Sequence, residues 1–199
     1  MKRFLTVAAF AAAAGAAFGQ GFTEDFEGGI PGSWTVVDNA GGGVVWMTNS
    51  DWGQGNYTNG SGLAAHVDSD NAGAVEFDTE LVTPAFTVPG GAHLQLTANY
   101  QNFAALDFFD IDINSGSGWV NLLRWNEDHG GFESTPGQDI DLDLSAYGGQ
   151  SAQVRFHYYD PNSGDWDWYA QIDNVTVTPA PGALALLGLG GLAAARRRR

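Results

Sequence analysis

Carboxylates carry most of the chemistry available to this chain. All 23 Asp and Glu lie between Glu24 and Asp173, where the only basic side chains besides histidine are Arg124 and Arg155; Lys2, Arg3 and Arg196 to Arg199 sit at the extreme ends. Carboxylates crowded at neutral pH must spread apart, take up protons or hold a cation. Calcium suits such a set, because it takes about six to eight oxygens from carboxylates, amides, backbone carbonyls and water. Spacing narrows the choice. Asp25 and Glu27 are two apart, so a strand would turn both to one face. Asp68 and Asp70 flank Ser69 and precede Asn71 and Gly73, like the opening of a calcium loop. Ala72 in the fifth position and Thr79 in the twelfth exclude a true EF-hand. Asp38 and Asn39 offer further oxygens in a loop. Asp110 and Asp112, and likewise Asp139, Asp141 and Asp143, alternate with apolar residues, so a solvent-facing strand face already accounts for them.

Catalytic signatures are few. His66, His93, His129 and His157 form no His-Glu-x-x-His motif, no Gly-x-Ser-x-Gly elbow occurs, and the chain has no cysteine. Two carboxylates about 5–9.5 Å apart across a groove would suit a glycosidase, but among so many acids such a pair arises by chance. Binding is the better expectation. Trp52 and Tyr57, in the polar Gly-rich segment Asn49 to Tyr57, are the candidate platform on which a ligand could stack. The acidic interior repels phosphate backbones and anionic lipid, which excludes nucleic acid as a partner.

The elements that must position these groups are strands. Leu94, Leu96, Ala98 and Tyr100 alternate with polar residues, as do Phe109, Ile111 and Ile113, then Ile140, Leu142 and Leu144, then Val154, Phe156 and Tyr158. Period two means one buried face and one wet face. Gly- and Pro-rich punctuation recurs between the runs (Gly41-Gly42-Gly43, Pro89-Gly90-Gly91, Ser115-Gly116-Ser117-Gly118), and no long window keeps a helical period. The expected fold is all-β, a two-sheet antiparallel sandwich of jelly-roll size over residues 20–178. In such a fold the last strand, holding Asp173, can lie beside the first.

The ends read as addresses. Lys2 and Arg3, the apolar run Phe4 to Ala14 and the small residues around Ala17-Phe18-Gly19 predict a signal peptide over 1–19. At the other end Pro179-Ala180-Pro181 precedes a 14-residue uncharged stretch, Gly182 to Ala195, and four arginines. As a helix that stretch spans about 21 Å, short of the roughly 30 Å hydrocarbon core. This layout over 179–199 resembles the PEP-CTERM sorting signal, with Pro-Ala-Pro in place of Pro-Glu-Pro. The resemblance implies a membrane exosortase-like peptidase as partner and a transiently membrane-bound tail.

The body carries a second resemblance. Phe22-Thr23-Glu24-Asp25-Phe26-Glu27, Ile30-Pro31-Gly32-Ser33-Trp34, His66-Val67-Asp68-Ser69-Asp70, Thr79-Glu80-Leu81-Val82-Thr83-Pro84, Asp143-Leu144-Ser145-Ala146-Tyr147 and Trp166-Asp167-Trp168-Tyr169 through Val175 occur in order. Together they resemble the cleaved-adhesin, or choice-of-anchor J, domain, a relative of the MAM-type jelly roll. That resemblance implies extracellular display and bound calcium, with Glu27 and Asp173 as its foremost ligands, then Asp25, Asp68 and Asp70, then Asp38 and Asn39. The expected function is non-catalytic adhesion at the cell surface or in the matrix, to a glycan or a surface protein. The alternatives are a structural matrix component without a defined ligand, and a polysaccharide hydrolase or lyase.

Overall fold

A computed structural model describes residues 21–161 and 167–179. The leader expected at 1–19 and the tail beyond Pro179 lie outside the described residues. Twelve strands are described: β1 (Thr23–Glu24), β2 (Thr35–Asp38), β3 (Met47–Thr48), β4 (Ala65–Asp68), β5 (Asp78–Val82), β6 (Phe86–Thr87), β7 (His93–Gln101), β8 (Phe108–Asn114), β9 (Trp119–Trp125), β10 (Gln138–Asp143), β11 (Ser151–Tyr159) and β12 (Tyr169–Thr178). A single helical turn, α1 (Ser69–Ala72), and a 3-10 turn at Ser145–Tyr147 are the helical pieces among the described residues.

Two antiparallel sheets form the sandwich. One runs β10-β7-β12-β4-β3, with β1 also on β12; the other runs β2-β5-β11-β8-β9, with β6 also on β11. The alternation seen in sequence sets the register of burial. Leu94, Leu96, Ala98 and Tyr100 of β7 face Val154, Phe156 and Tyr158 of β11 across one core, while β10 leaves Asp139, Asp141 and Asp143 exposed. Trp34 stacks on Phe156 with centroids 6.2 Å apart, and Phe26 meets Trp34 edge-on at 5.5 Å, closing the end of the core where β1 enters. Aromatic pairs of this geometry add to the gain from burial.

Two local features depart from the simple alternation. β8 turns Asp110 and Asp112 outward, yet they are only 2% and 3% exposed. Arg124 donates to both oxygens of Asp110, and Arg155 Nε reaches Asp112 Oδ2 at 2.7 Å, so neighbouring side chains cover the acids. The segment that reads like the opening of a calcium loop folds instead as α1. Asp68 is its N-cap, accepting from Asn71 N at 2.8 Å, which satisfies a backbone donor left open by the first turn.

Candidate functional site

The first and last strands meet. Thr23 pairs with Thr176 and Glu24 with Val175. Two backbone irregularities then aim the acids beside this junction. Phe26 takes a positive φ of 53°, which sends its ring into the core and turns the chain so that Glu27 faces the loop Asn56 to Leu63. On β12 the register with β7 shifts between Asp173 and Thr176, and Asn174 has φ 54°. A bulge of this kind re-aims a side chain where pairing changes partner; here β12 passes from β4 to β1.

Glu27 Oε1 accepts from Leu63 N at 3.2 Å. Asp173, 1% exposed, accepts at Oδ2 from Asn56 Nδ2 (3.0 Å) and Asn59 Nδ2 (2.8 Å), with Thr58 Oγ1 at 3.2 Å, and at Oδ1 from Asn174 N. Burial raises the Asp173 carboxyl above the ordinary aspartate range; the hydrogen bonds pull it down, and the charge of Glu27 pushes it up again. Two carboxylates are thus close enough to repel, against a loop rich in carbonyls and carboxamides. Gly62, at φ 74°, lies so near that a Cβ there would fall 1.8 Å from Glu27 Oε1. The donor set fits calcium: hard oxygens, two of them carboxylates, and a cradle that a side chain would fill. Glu27 is the less engaged of the two acids, since three side-chain donors already surround Asp173 Oδ2.

The remaining sequence candidates do not form one cage with this pair. Asp25 stays beside it but caps its own turn, accepting from Glu27 N. Asp68 pairs in register with Tyr169, four residues up β12 from Asp173, where it accepts from Gln54 Nε2 and lies 3.4 Å from His66 Nε2. Asp70 follows it in the first turn of α1. Asp38 lies in the other sheet and closes a turn through Gly41 N and Gly43 N; Asn39 donates to Asp78 and Glu80. Spacing along the chain groups these acids. The fold disperses them, because β2 lies at the edge of one sheet while β4 and β12 lie inside the other.

The segment carrying Trp52 and Tyr57 is also more internal than its composition suggests. Trp52 donates its indole N–H to Val45 O at 3.3 Å, and Tyr57 donates to Gln54 Oε1 while its ring packs against His66 and Tyr169. Both are half-buried. His66 itself is fully buried, and burial holds its imidazole below the ordinary value despite the opposing influence of Asp68. The side-chain amide of Gln171 donates to His66 Nδ1 at 3.0 Å, which leaves Nε2 as the N–H facing Asp68.

Exposed aromatic surface gathers elsewhere. Phe103 and Phe132 are 50% and 49% exposed, and both stand edge-on to Trp168, at 6.0 and 4.8 Å. Asp70, Phe103, Asp167 and Trp168 line a small cleft between them. Across the molecule, the outer face of β11, β8 and β9 forms a closed ionic network: Arg155 bridges Asp112 and Glu80, Arg124 holds Asp110, and His157 sits 2.7 Å from Asp78.

Residues 20–111 match the Cleaved Adhesin Domain family. Over that stretch the chain is similar to a cleaved-adhesin domain. Lys-gingipain W83 of Porphyromonas gingivalis is 32% identical over 114 residues, which is 50% of this chain and 6% of that relative. The chain therefore spans only a small fraction of the curated relatives it matches. The K1 cleaved-adhesin domain of Lys-gingipain superposes with a TM-score of 0.60 at 24% identity, covering 81% of this chain and 99% of that one. TmCBM61, solved in complex with beta-1,4-galactotriose, shares the fold with a TM-score of 0.53 at 11% identity, covering 78% and 94%.

The aromatic cluster is what sequence reasoning missed. Phe103, Phe132 and Trp168 belong to three separate loops, and nothing in their spacing links them. One signal was available. Asn102-Phe103-Ala104-Ala105 and Gly130-Gly131-Phe132 each place a lone aromatic residue in a turn-prone segment with no alternating partner, so neither phenylalanine has a strand face to bury it.

Proposed function

We propose that this chain is an exported adhesion module of the cell surface or matrix, which binds glycans without catalysis and is stabilised by calcium at the Glu27–Asp173 junction. The observation that carries this reading is the pair of exposed rings, Phe103 and Phe132, set edge-on against the half-buried Trp168 with Asp70 beside it. Flat apolar rings can cover the C–H face of a sugar while a carboxylate at the rim accepts from its hydroxyls. The likeness of the sandwich to a galactotriose-bound module supports a sugar over a purely structural matrix role. Calcium is supported by two carboxylates facing one loop without a cationic side chain between them. Export and the action of an exosortase-like peptidase rest on the sequence of residues 1–19 and 179–199.

A glycan array probed with the full chain in millimolar calcium tests the reading. Saturable binding to a restricted set of neutral glycans is expected, with Phe103→Ala and Trp168→Ala each weakening it about tenfold or more. Absence of saturable binding to any glycan would leave the structural matrix role. New reducing ends or unsaturated products in the same incubations would favour the hydrolase or lyase.

A further inference from the structure

The ionic network on the outer face of the β2-β5-β11-β8-β9 sheet is short of positive charge around His157. Asp78 and Glu80 of β5 flank that histidine on one side, Asp110 and Asp112 of β8 on the other. Arg124 serves Asp110, and Arg155 is shared by Asp112 and Glu80. Two guanidiniums against these four acids leave two negative charges over, and Asp78 has no arginine partner among the described residues. Its Oδ1 accepts from Asn39 Nδ2 at 2.9 Å and lies 2.7 Å from His157 Nε2.

Strand geometry aims three of these side chains at one point. Thr79, between the two acids of β5, is buried, so Asp78 and Glu80 both turn outward. His157 lies between the core residues Phe156 and Tyr158 and directly opposite Glu80 in the register. One ligand atom from each of Asp78, Glu80 and His157 lies within 4.8 Å of the other two. A tetrahedral zinc ion with bonds of about 2.0–2.1 Å keeps its ligand atoms roughly 3.3 Å apart, so small side-chain rotations close the set. The frame holds still while they do. Asn39 Nδ2 donates to both carboxylates, at 2.9 and 3.2 Å, and the His157 ring stacks on Tyr159 with centroids 4.3 Å apart. Strands β5 and β11 are each paired on both sides, which makes them precise supports for a site. The Asp78 side chain is 41% exposed, so water reaches the cluster.

The donors select the ion. An imidazole nitrogen with two carboxylates suits zinc, whereas calcium takes oxygens alone. We propose that Asp78, Glu80 and His157 bind one zinc ion, His157 through Nε2, with water in the fourth position. The proton shared by Nε2 and Asp78 leaves to solvent as the ion enters, and the ion's two charges match the local surplus. Both donors to Glu80 use Oε1, so coordination through Oε2 keeps the Arg155 bridge. Asp173 belongs to the other sheet, so zinc fills this site independently of the Glu27–Asp173 junction.

Calorimetric titration of zinc chloride into the untagged full chain, in millimolar calcium, tests the site. One saturating zinc per chain is expected, both for wild type and for Glu27→Gln combined with Asp173→Asn. His157→Gln should abolish the saturable isotherm. Asn39→Ala, which removes only a positioning contact, should weaken zinc about tenfold. His93→Gln is the control, since His93 stands 2.6 Å from Asp141 on an exposed face of the other sheet and should leave the isotherm unchanged. Cobalt(II) in place of zinc should give the visible absorption of a tetrahedral site in wild type and lose it in H157Q. Absence of saturable zinc binding overturns the proposal, as does full retention in H157Q or displacement of the zinc by excess calcium. Loss of zinc in H93Q would also overturn it, by assigning the ion to the His93–Asp141 pair. Should H157Q not fold, Asp78→Asn carries the test: zinc should bind at least about tenfold more weakly, and unchanged affinity refutes the site.

Discussion

At the scale of single residues, the junction depends on the absence of a side chain. Gly62 combines a left-handed backbone with a carboxylate in the space where a Cβ would stand. Gly62→Ala should therefore destabilise the domain by about 1–3 kcal/mol in urea unfolding and weaken calcium binding at Glu27. Gly73→Ala is the control, since it shares the positive φ but nothing lies within 4 Å of its Cβ position; an equal loss at both positions would remove the clash from the explanation. His66 sets a pH dependence. Its folded pKa lies below the unfolded 6.5 because burial penalises the charged ring. Below pH 6.5 the unfolded chain therefore binds the extra proton first, and this contribution to stability is present above 6.5 and lost as pH falls through the folded value. Melting curves between pH 7.5 and 5 should slope downward with acid, and His66→Gln should flatten that slope; an unchanged slope would contradict the assignment.

Elements succeed or fail here through their irregularities. The bulge of β12 between Asp173 and Thr176 lets one strand pair with β4 above and β1 below, and it turns Asp173 toward the loop beneath. On the opposite sheet, strand β11 depends on Arg155, which is mostly covered and bonded at 2.7 Å to both Asp112 and Glu80. Its guanidinium also stands 4.7 Å from the Trp119 ring centre. Arg155→Met keeps the packing of the stem but leaves two covered carboxylates without their cation. Removing one partner of a buried ion pair costs about 3–5 kcal/mol, so the variant should show a clearly lowered urea midpoint. Pairing the change with Asp112→Asn should recover part of the loss, and no recovery would show that the ion pair is not the cause.

For the whole molecule, the governing fact is a body holding two arginines among 23 carboxylates. Self-repulsion on that scale makes stability sensitive to any bound cation. A ligand that binds only the folded state adds about 2.7 kcal/mol at one hundred times its Kd, worth roughly 5–10 °C in a domain of this size. Chelation should lower the melting temperature by several degrees, read by scanning calorimetry with and without excess calcium. Raised sodium chloride alone should recover only part of that, because screening weakens long-range repulsion without filling an oxygen cage. A melting temperature indifferent to chelation would count against calcium at the Glu27–Asp173 junction.

Period-two alternation in β7, β10 and β11 was enough to specify a sandwich, because burial of one strand face is a local property of side-chain order. The ordered motifs from Phe22 to Val175 likewise carried the resemblance to the cleaved-adhesin family, and Glu27 and Asp173 with it. What the chain's order could not convey is which acids meet. Asp68 and Asp70 look like ligands by spacing, yet α1 and the pairing of β4 take them away from the junction. Phe103, Phe132 and Trp168 stand far apart in the sequence, yet the fold brings their rings into contact. Such groupings depend on strand order and register between segments far apart in the chain, and those are set by the packing of two sheets as a whole rather than by any local pattern.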